Sequence, residues 1–282
     1  MKAILVQFVT SSSAPPLSCR ALSGYSHHSP LRSTKLVSKG RRHRYTMSSE
    51  LILYDLPSKQ GTGWSHNPWK TRLALNFKGI SYKTDWTEYP DLQPKFEKFG
   101  ISPNSTGAKY TSPAVKLPDG TYIMESRAIA DALERLHPTP SLHLDSPYQS
   151  RIEKMVPDLV NSMRPIFMPL VPKTFLNKPS YDYFHATREK SLGMPLDKYA
   201  EGADEAFMKA KPYIKQLGEM LTENEGPFLE GKKPVYADFV IVAMLRMQAG
   251  LGYADKIFGE EGGKELKALY EASKEWLERE NH

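Results

Sequence analysis

A chain of 282 residues, 40% hydrophobic and 25% charged, can build one large domain or two ordinary ones, and no apolar run approaches the ~20 residues of a membrane span. The formal charge of +6 is unevenly placed: eight basic residues and no acid lie in residues 1–46, leaving 30 basic against 32 acidic residues for the rest. That near-neutral body argues against nucleic-acid binding, and because the one cysteine, Cys19, lies in the basic segment, internal disulfides and a catalytic thiol in the body are excluded.

Residues 1–48 have too few apolar positions to repay ordering and are expected to be a disordered extension or targeting segment. Ser and Arg without acids resemble a mitochondrial presequence, whereas Met47, directly before the first strand, is a competing start. The expected location is cytoplasmic, or mitochondrial if the extension is a true presequence.

Leu51–Leu56 is a short apolar run ended by Pro57 and reads as a buried strand. Ser58–Asn67 reads as a loop, with Asn67 as N-cap and Pro68 as first residue of a helix that stops at Gly79. Ser81–Glu88, rich in Tyr, Thr and Trp, predicts a second strand, and Leu92–Phe99 a short helix. Ala114–Leu117 and Tyr122–Met124 predict a hairpin turned by Pro118-Asp-Gly-Thr121, followed by an amphipathic helix over Ser126–Leu136. The order β-α-β-α-β-β-α is that of a thioredoxin-like α/β domain, assigned to residues 49–138. Residues 147–282 carry helical patterns only and are assigned to an all-α domain, its helices broken at Pro157, Pro165, Pro169, Pro172, Asn177–Ser180 and Gly226-Pro227.

Three features of the first domain carry chemistry. In Gly63-Trp-Ser65-His-Asn67-Pro68, free N–H groups and the positive end of a helix stabilise an anion. The Ser65 hydroxyl or the Asn67 amide can donate to a bound thiolate, although both residue types also serve as plain caps. His66 is read as an exposed loop histidine rather than a base. In Thr111-Ser112-Pro113-Ala, a cis bond would turn the Ser112 main chain outward to pair with a peptide ligand; a trans proline at a strand start is the commoner case. In Glu125-Ser126, the hydroxyl and N–H of Ser126 can take a carboxylate and Glu125 an ammonium, the two charges at one end of an amino acid.

Taken in order, these features resemble the glutathione S-transferase superfamily over residues 51–280. The stretches Trp64–Arg72, Leu75–Gly79 and Glu88–Asp91 are most similar to fungal transferases related to bacterial β-etherases. The resemblance implies glutathione as co-substrate without a metal, Ser65 and Asn67 as thiolate partners, Ser112 and Pro113 as the peptide clamp, and Glu125 and Ser126 as the γ-glutamyl site. It further implies a homodimer and a small apolar electrophile, in detoxification or secondary metabolism. Lack of a body cysteine favours a Ser-type transferase over thiol exchange; ether cleavage and a non-catalytic ligand-binding protein are the alternatives. Met163, Phe167, Met168, Phe175, Tyr181, Tyr183 and Phe184 are candidates for the electrophile pocket, of which one or two are expected to line it. Pro234-Val-Tyr-Ala-Asp238 resembles the family's capping box, but Val235 cannot accept a hydrogen bond, so about 1 kcal/mol of capping is expected to be missing.

Overall fold

The computed structural model describes residues 50–280; the extension, its competing starts and Cys19 lie outside the described residues. The strand β1 (Leu51–Asp55) is buried along almost its whole length, as its unbroken apolar run requires. It pairs in parallel with β2 (Tyr82–Trp86) and antiparallel with β3 (Ala114–Lys116), which pairs with β4 (Tyr122–Met124). The sheet order is β2-β1-β3-β4. Helices α1 (His66–Phe77), α2 (Tyr89–Lys98) and α3 (Ser126–Leu136) complete a thioredoxin-like arrangement.

Two boundaries differ from the sequence reading. The first helix starts at His66 with Ser65 as the N-cap, not at Pro68 with Asn67 as cap. No N–H in a first turn has an intrahelical partner, so proline is tolerated at its third position as well as its first. α2 likewise begins three residues early and accommodates Pro90 and Pro94.

The helical half comprises α4 (Gln149–Ser162), α5 (Arg164–Thr174), α6 (Lys178–Leu192), α7 (Leu196–Ala200), α8 (Ala203–Leu221), α9 (Tyr236–Gly250) and three short helices, α10 (Ala254–Phe258), α11 (Gly263–Ala272) and α12 (Lys274–Leu277). Pro157 lies inside α4, and Pro169 and Pro172 inside α5, so none of them breaks a helix. Pro169 and Pro172 are buried in the packed face of α5, where tertiary burial outweighs the lost backbone bonds. The expected loop at Asn177–Ser180 is instead the cap and first turn of α6. α9 is apolar on nearly every face and buried on nearly every face, which makes it the central post of the bundle. Val235 caps it without a side-chain bond, as expected; Asp238 accepts from Val235 N–H at 2.8 Å and from Leu229 N–H at 2.9 Å. Burial pushes the Asp238 carboxyl up to about 7 against these two bonds.

Among the described residues of the α/β half, one ion pair, Arg72 with Asp55, has both side chains fully buried. Arg72, on α1, donates to Asp55 Oδ2 at 2.8 Å, with neither side chain exposed, and to Thr84 Oγ1 at 3.0 Å. Its guanidinium lies 5.1 Å from the centre of the Trp86 ring. Arg72→Met would leave the Asp55 carboxylate buried without its cation, which costs about 3–5 kcal/mol. Urea denaturation should show that loss, and Asp55→Asn added to Arg72→Met should recover part of it; an unchanged midpoint for Arg72→Met contradicts this account.

Candidate active site

The loop from Pro57 to Ser65 is tied down at several points. Trp64 Nε1 donates to Pro57 O at 3.2 Å, and Trp69 Nε1 to Gly63 O at 3.0 Å. Gly63 N–H reaches Glu280 O at 3.1 Å, and the Trp64 ring stacks on Phe175 with centres 5.0 Å apart. A Cβ on Gly63 would lie 2.8 Å from Arg72 Nε, so the loop can pass over the buried guanidinium only with glycine there.

Ser65, at the end of this loop, has extended backbone (φ −78°, ψ 134°) and makes no side-chain cap bond. Among the described residues its hydroxyl has no hydrogen-bond partner. The ordinary use of serine at a helix start, capping, is therefore not what this hydroxyl does. Asn67 is exposed, and its Oδ1 accepts from Lys70 Nζ at 3.0 Å, while its amide N–H groups bond no described residue. Burial lowers the Lys70 ammonium to about 8, against the opposing pull of Glu125 and Glu153.

Two cavities meet at these residues. One, of about 540 Å³, is lined by Leu56, Thr111 and Ser112 on one side and by Pro90 and Gln93 of α2 on the other. The second, of about 230 Å³, lies between α1 and helices α4, α5, α6 and α9. Ser65, Asn67, Tyr89 and Arg188 line both.

The Ser112–Pro113 bond is cis, and the Ser112 hydroxyl donates to Tyr54 O at 3.1 Å. The Ser112 N–H and C=O are bonded to no described residue. Glu125 is the N-cap of α3 and has φ 78° and ψ 125°, a conformation that a residue with a Cβ rarely adopts. Its Oε1 accepts from Thr111 Oγ1 at 2.5 Å and Asn104 Nδ2 at 2.9 Å, while Oε2 takes no bond from a described residue. Ser126 opens α3, and its carbonyl accepts from the Tyr236 hydroxyl at 3.1 Å, which ties the first turn of α3 to α9. Pro113, Glu125 and Ser126 stand beside the larger cavity without lining it; Thr111 joins Glu125 to its wall.

Of the seven expected pocket residues, Phe167, Met168 and Phe184 line the smaller cavity and Tyr183 the larger. Met163 is core, Phe175 packs under Trp64, and Tyr181 pairs with His185. Sequence reasoning missed Tyr89, Arg164 and Arg188, because nothing local distinguishes an inward arginine on a helix from a solvated one. His66 is not an exposed loop residue: it is the first residue of α1, and its Nε2 is buried without a partner.

Three comparisons bear on this geometry. Models of the glutathione S-transferase N-terminal and C-terminal domains match residues 64–136 and 149–279. The chain is 32% identical over 261 residues to the glutathione S-transferase-like protein ustS of Aspergillus flavus, covering 83% of this chain and 93% of that protein. Two solved glutathione S-transferases of Ceriporiopsis subvermispora, each in complex with glutathione, are also similar. The first is 30% identical with a TM-score of 0.73, and covers 80% of this chain and 98% of its own. The second is 25% identical with a TM-score of 0.70 and the same coverage, 80% and 98%.

Burial holds the His66 imidazole neutral, with its pKa well below the usual 6.5. An unfolded chain takes up a proton near pH 6.5 that folded His66 refuses, so stability falls as pH drops below that value. His66→Phe should flatten this fall between pH 6.5 and 5 in denaturation series, and the His66 ring should not titrate by NMR over that range. A titration midpoint near 6.5 overturns the assignment.

Proposed function

The chain belongs to the glutathione S-transferase family, and on that premise we propose that it activates the glutathione thiol as a thiolate at Ser65 and directs it at an electrophile in the smaller cavity. The observation that carries this reading is the convergence of the two cavities on Ser65 and Asn67. A peptide thiol in the larger cavity then faces a second ligand in the smaller one.

The chemistry follows from the donors. A free thiol with pKa about 8.5 is only about 3% ionised at pH 7. The Ser65 hydroxyl and the Asn67 amide, neither donating to a described residue, and the first-turn N–H groups of α1 all stabilise negative charge. A lowering of the thiol by two units raises the reactive fraction by about twenty-five-fold. Ser65 is assigned the contact with sulfur, and Asn67, oriented by Lys70, supports it. The Ser112 main chain takes the middle of the peptide as an added strand would. Glu125 Oε2 takes the γ-glutamyl ammonium, and the N–H and hydroxyl of Ser126 its carboxylate. The Glu125 backbone outlier supports this role, because strain of about 1–3 kcal/mol persists at sites where position matters more than comfort.

The test uses the full chain on immobilised glutathione, followed by conjugation of an aryl halide. Retention with turnover is expected. Ser126→Ala and Glu125→Gln should weaken retention about tenfold or more. Ser65→Ala should keep retention but lower kcat/KM at pH 6.5 at least tenfold, with the pH profile displaced upward by about one unit. Retention without turnover identifies a glutathione-binding protein instead, and absence of retention, with Ser126→Ala no different, removes the site assignment.

A further inference from the structure

The smaller cavity is not simply apolar. Trp64, Val160, Phe167, Met168, Val171, Phe184 and Met247 supply an apolar wall, but Arg164 and Arg188 also line it, and no carboxylate does. Arg72, Arg127, Arg151 and Arg246 each hold a carboxylate within 3.2 Å. Arg164 and Arg188 enter no ion pair with any described residue. Arg164 Nε is directed at Met168 Sδ (3.2 Å), which leaves both terminal nitrogens free. Arg188 donates one bond, to Thr187 Oγ1 at 3.0 Å.

Arg188 is nevertheless held in place. Its guanidinium carbon lies 4.6 Å from the Phe184 ring centre and 5.5 Å from that of Tyr89. Tyr89 is itself anchored: its N–H donates to Ser180 Oγ at 2.9 Å, and its ring stacks on Tyr183. The Glu88 carboxylate near it accepts from Asn177 Nδ2 at 3.0 Å and from the Ser180 hydroxyl and forms no ion pair with Arg188. Two cations without an ion-pair partner among the described residues thus line one cleft beside Ser65 and Asn67. A bound anion would supply the missing partner, and their forked donors suit a carboxylate.

We propose that the electrophile is an acid: an apolar, ring-sized body carrying a carboxylate that Arg164 and Arg188 bind, with its reactive carbon turned toward Ser65. This names the substrate class of the site proposed above and rests on that reading. It adds a carboxylate to the small apolar electrophile expected from the sequence. Anchoring the far end of the substrate fixes where the reactive carbon stands relative to the sulfur. With an activated aryl chloride as substrate, the sulfur forms a C–S bond, chloride leaves with the C–Cl electron pair, and the thiol proton has already gone to solvent. The carboxylate takes no part in the bond changes.

Binding is tested apart from turnover. Quenching of tryptophan fluorescence, with Trp64 in the cavity wall, reads the affinity of the full chain for 3,5-dinitrobenzoate and for its methyl ester, neither of which has a halide to lose. The acid should bind at least tenfold tighter than the ester. Arg164→Met should erase most of that preference with little effect on the ester; Arg164→Lys should keep part of it, and Arg188→Met should reduce it further. High salt should weaken only the acid. Equal affinity for acid and ester, or an acid preference that survives both methionine substitutions, overturns the proposal. Should the acid preference hold while conjugation of 4-chloro-3,5-dinitrobenzoate is absent, the failure lies with the transferase reading; conjugation of acid and ester at equal kcat/KM, after division by their uncatalysed rates, places it with this one.

Discussion

The α/β half is organised around one ion pair taken wholly out of water. Arg72 on α1 meets Asp55 at the end of β1 and Thr84 on β2, so a single guanidinium joins the strand–helix–strand unit through its side chains. Such a pair is not a cheap source of stability, since desolvating both charges consumes most of the attraction. What it supplies is position. The far end of the β1 strand, the first turns of α1 and the loop between them cannot shift without separating buried charges. Gly63 lies against the guanidinium, and two residues later the chain delivers Ser65. The placement of the site is therefore a consequence of the pair, transmitted through a loop with no room for a side chain.

The helical half completes what that loop begins. Phe175 and Met168 share one apolar cluster with Tyr54, Trp64 and Met124, so the wall of the cleft and the floor of the sheet are the same packed unit. The Tyr236 hydroxyl reaches from α9 to the carbonyl of Ser126, while Gly63 N–H reaches Glu280 O near the other end of the described chain. Both halves of the candidate site, the Ser65 turn and the Glu125-Ser126 turn, are thus held from behind by segments distant in sequence, α9 and the chain that follows α12. A reading confined to the first domain sees the side chains but not what fixes them.

How much was legible follows from that division. The period-2 and apolar patterns of residues 51–136 exposed the thioredoxin-like order, and the spacing of Ser65, Pro113 and Glu125-Ser126 on those elements pointed to one groove. The start of α1 was misplaced because Pro68 and Asn67 form a good local signal, yet the N–H groups of a first turn have no intrahelical acceptor and proline fits more than one of its positions. The helix breaks assigned to Pro157, Pro169 and Pro172 failed for a different reason: local propensity was overridden by burial along α4 and α5. Arg72, Arg164 and Arg188 were invisible. A helical arginine reads as solvated until the strands and helices around it are known, and here one is buried, one faces a cleft, and one is clasped by two rings.

Several polar groups at this site have no partner of their own among the described residues. Ser65 has no partner for its hydroxyl, Ser112 none for its main chain, and Glu125 none for Oε2 among the described residues, in a protein where most buried polar groups are paired. Ser65 is half-buried and Glu125 exposed, and Ser112, though buried, lines the larger cavity, so water can reach all three at little cost. A ligand that arrives with a thiol, a peptide group and an ammonium replaces that water with fixed partners. Preorganised donors of this kind stabilise a thiolate without having to reorient when it forms, which is the electrostatic advantage of a protein site over solvent. On the proposed reading the protein contributes geometry and dipoles while the reactive sulfur comes with the co-substrate. The unpaired arginines extend the same logic to the second ligand: charge is left unmatched on the protein where the substrate is to supply the match.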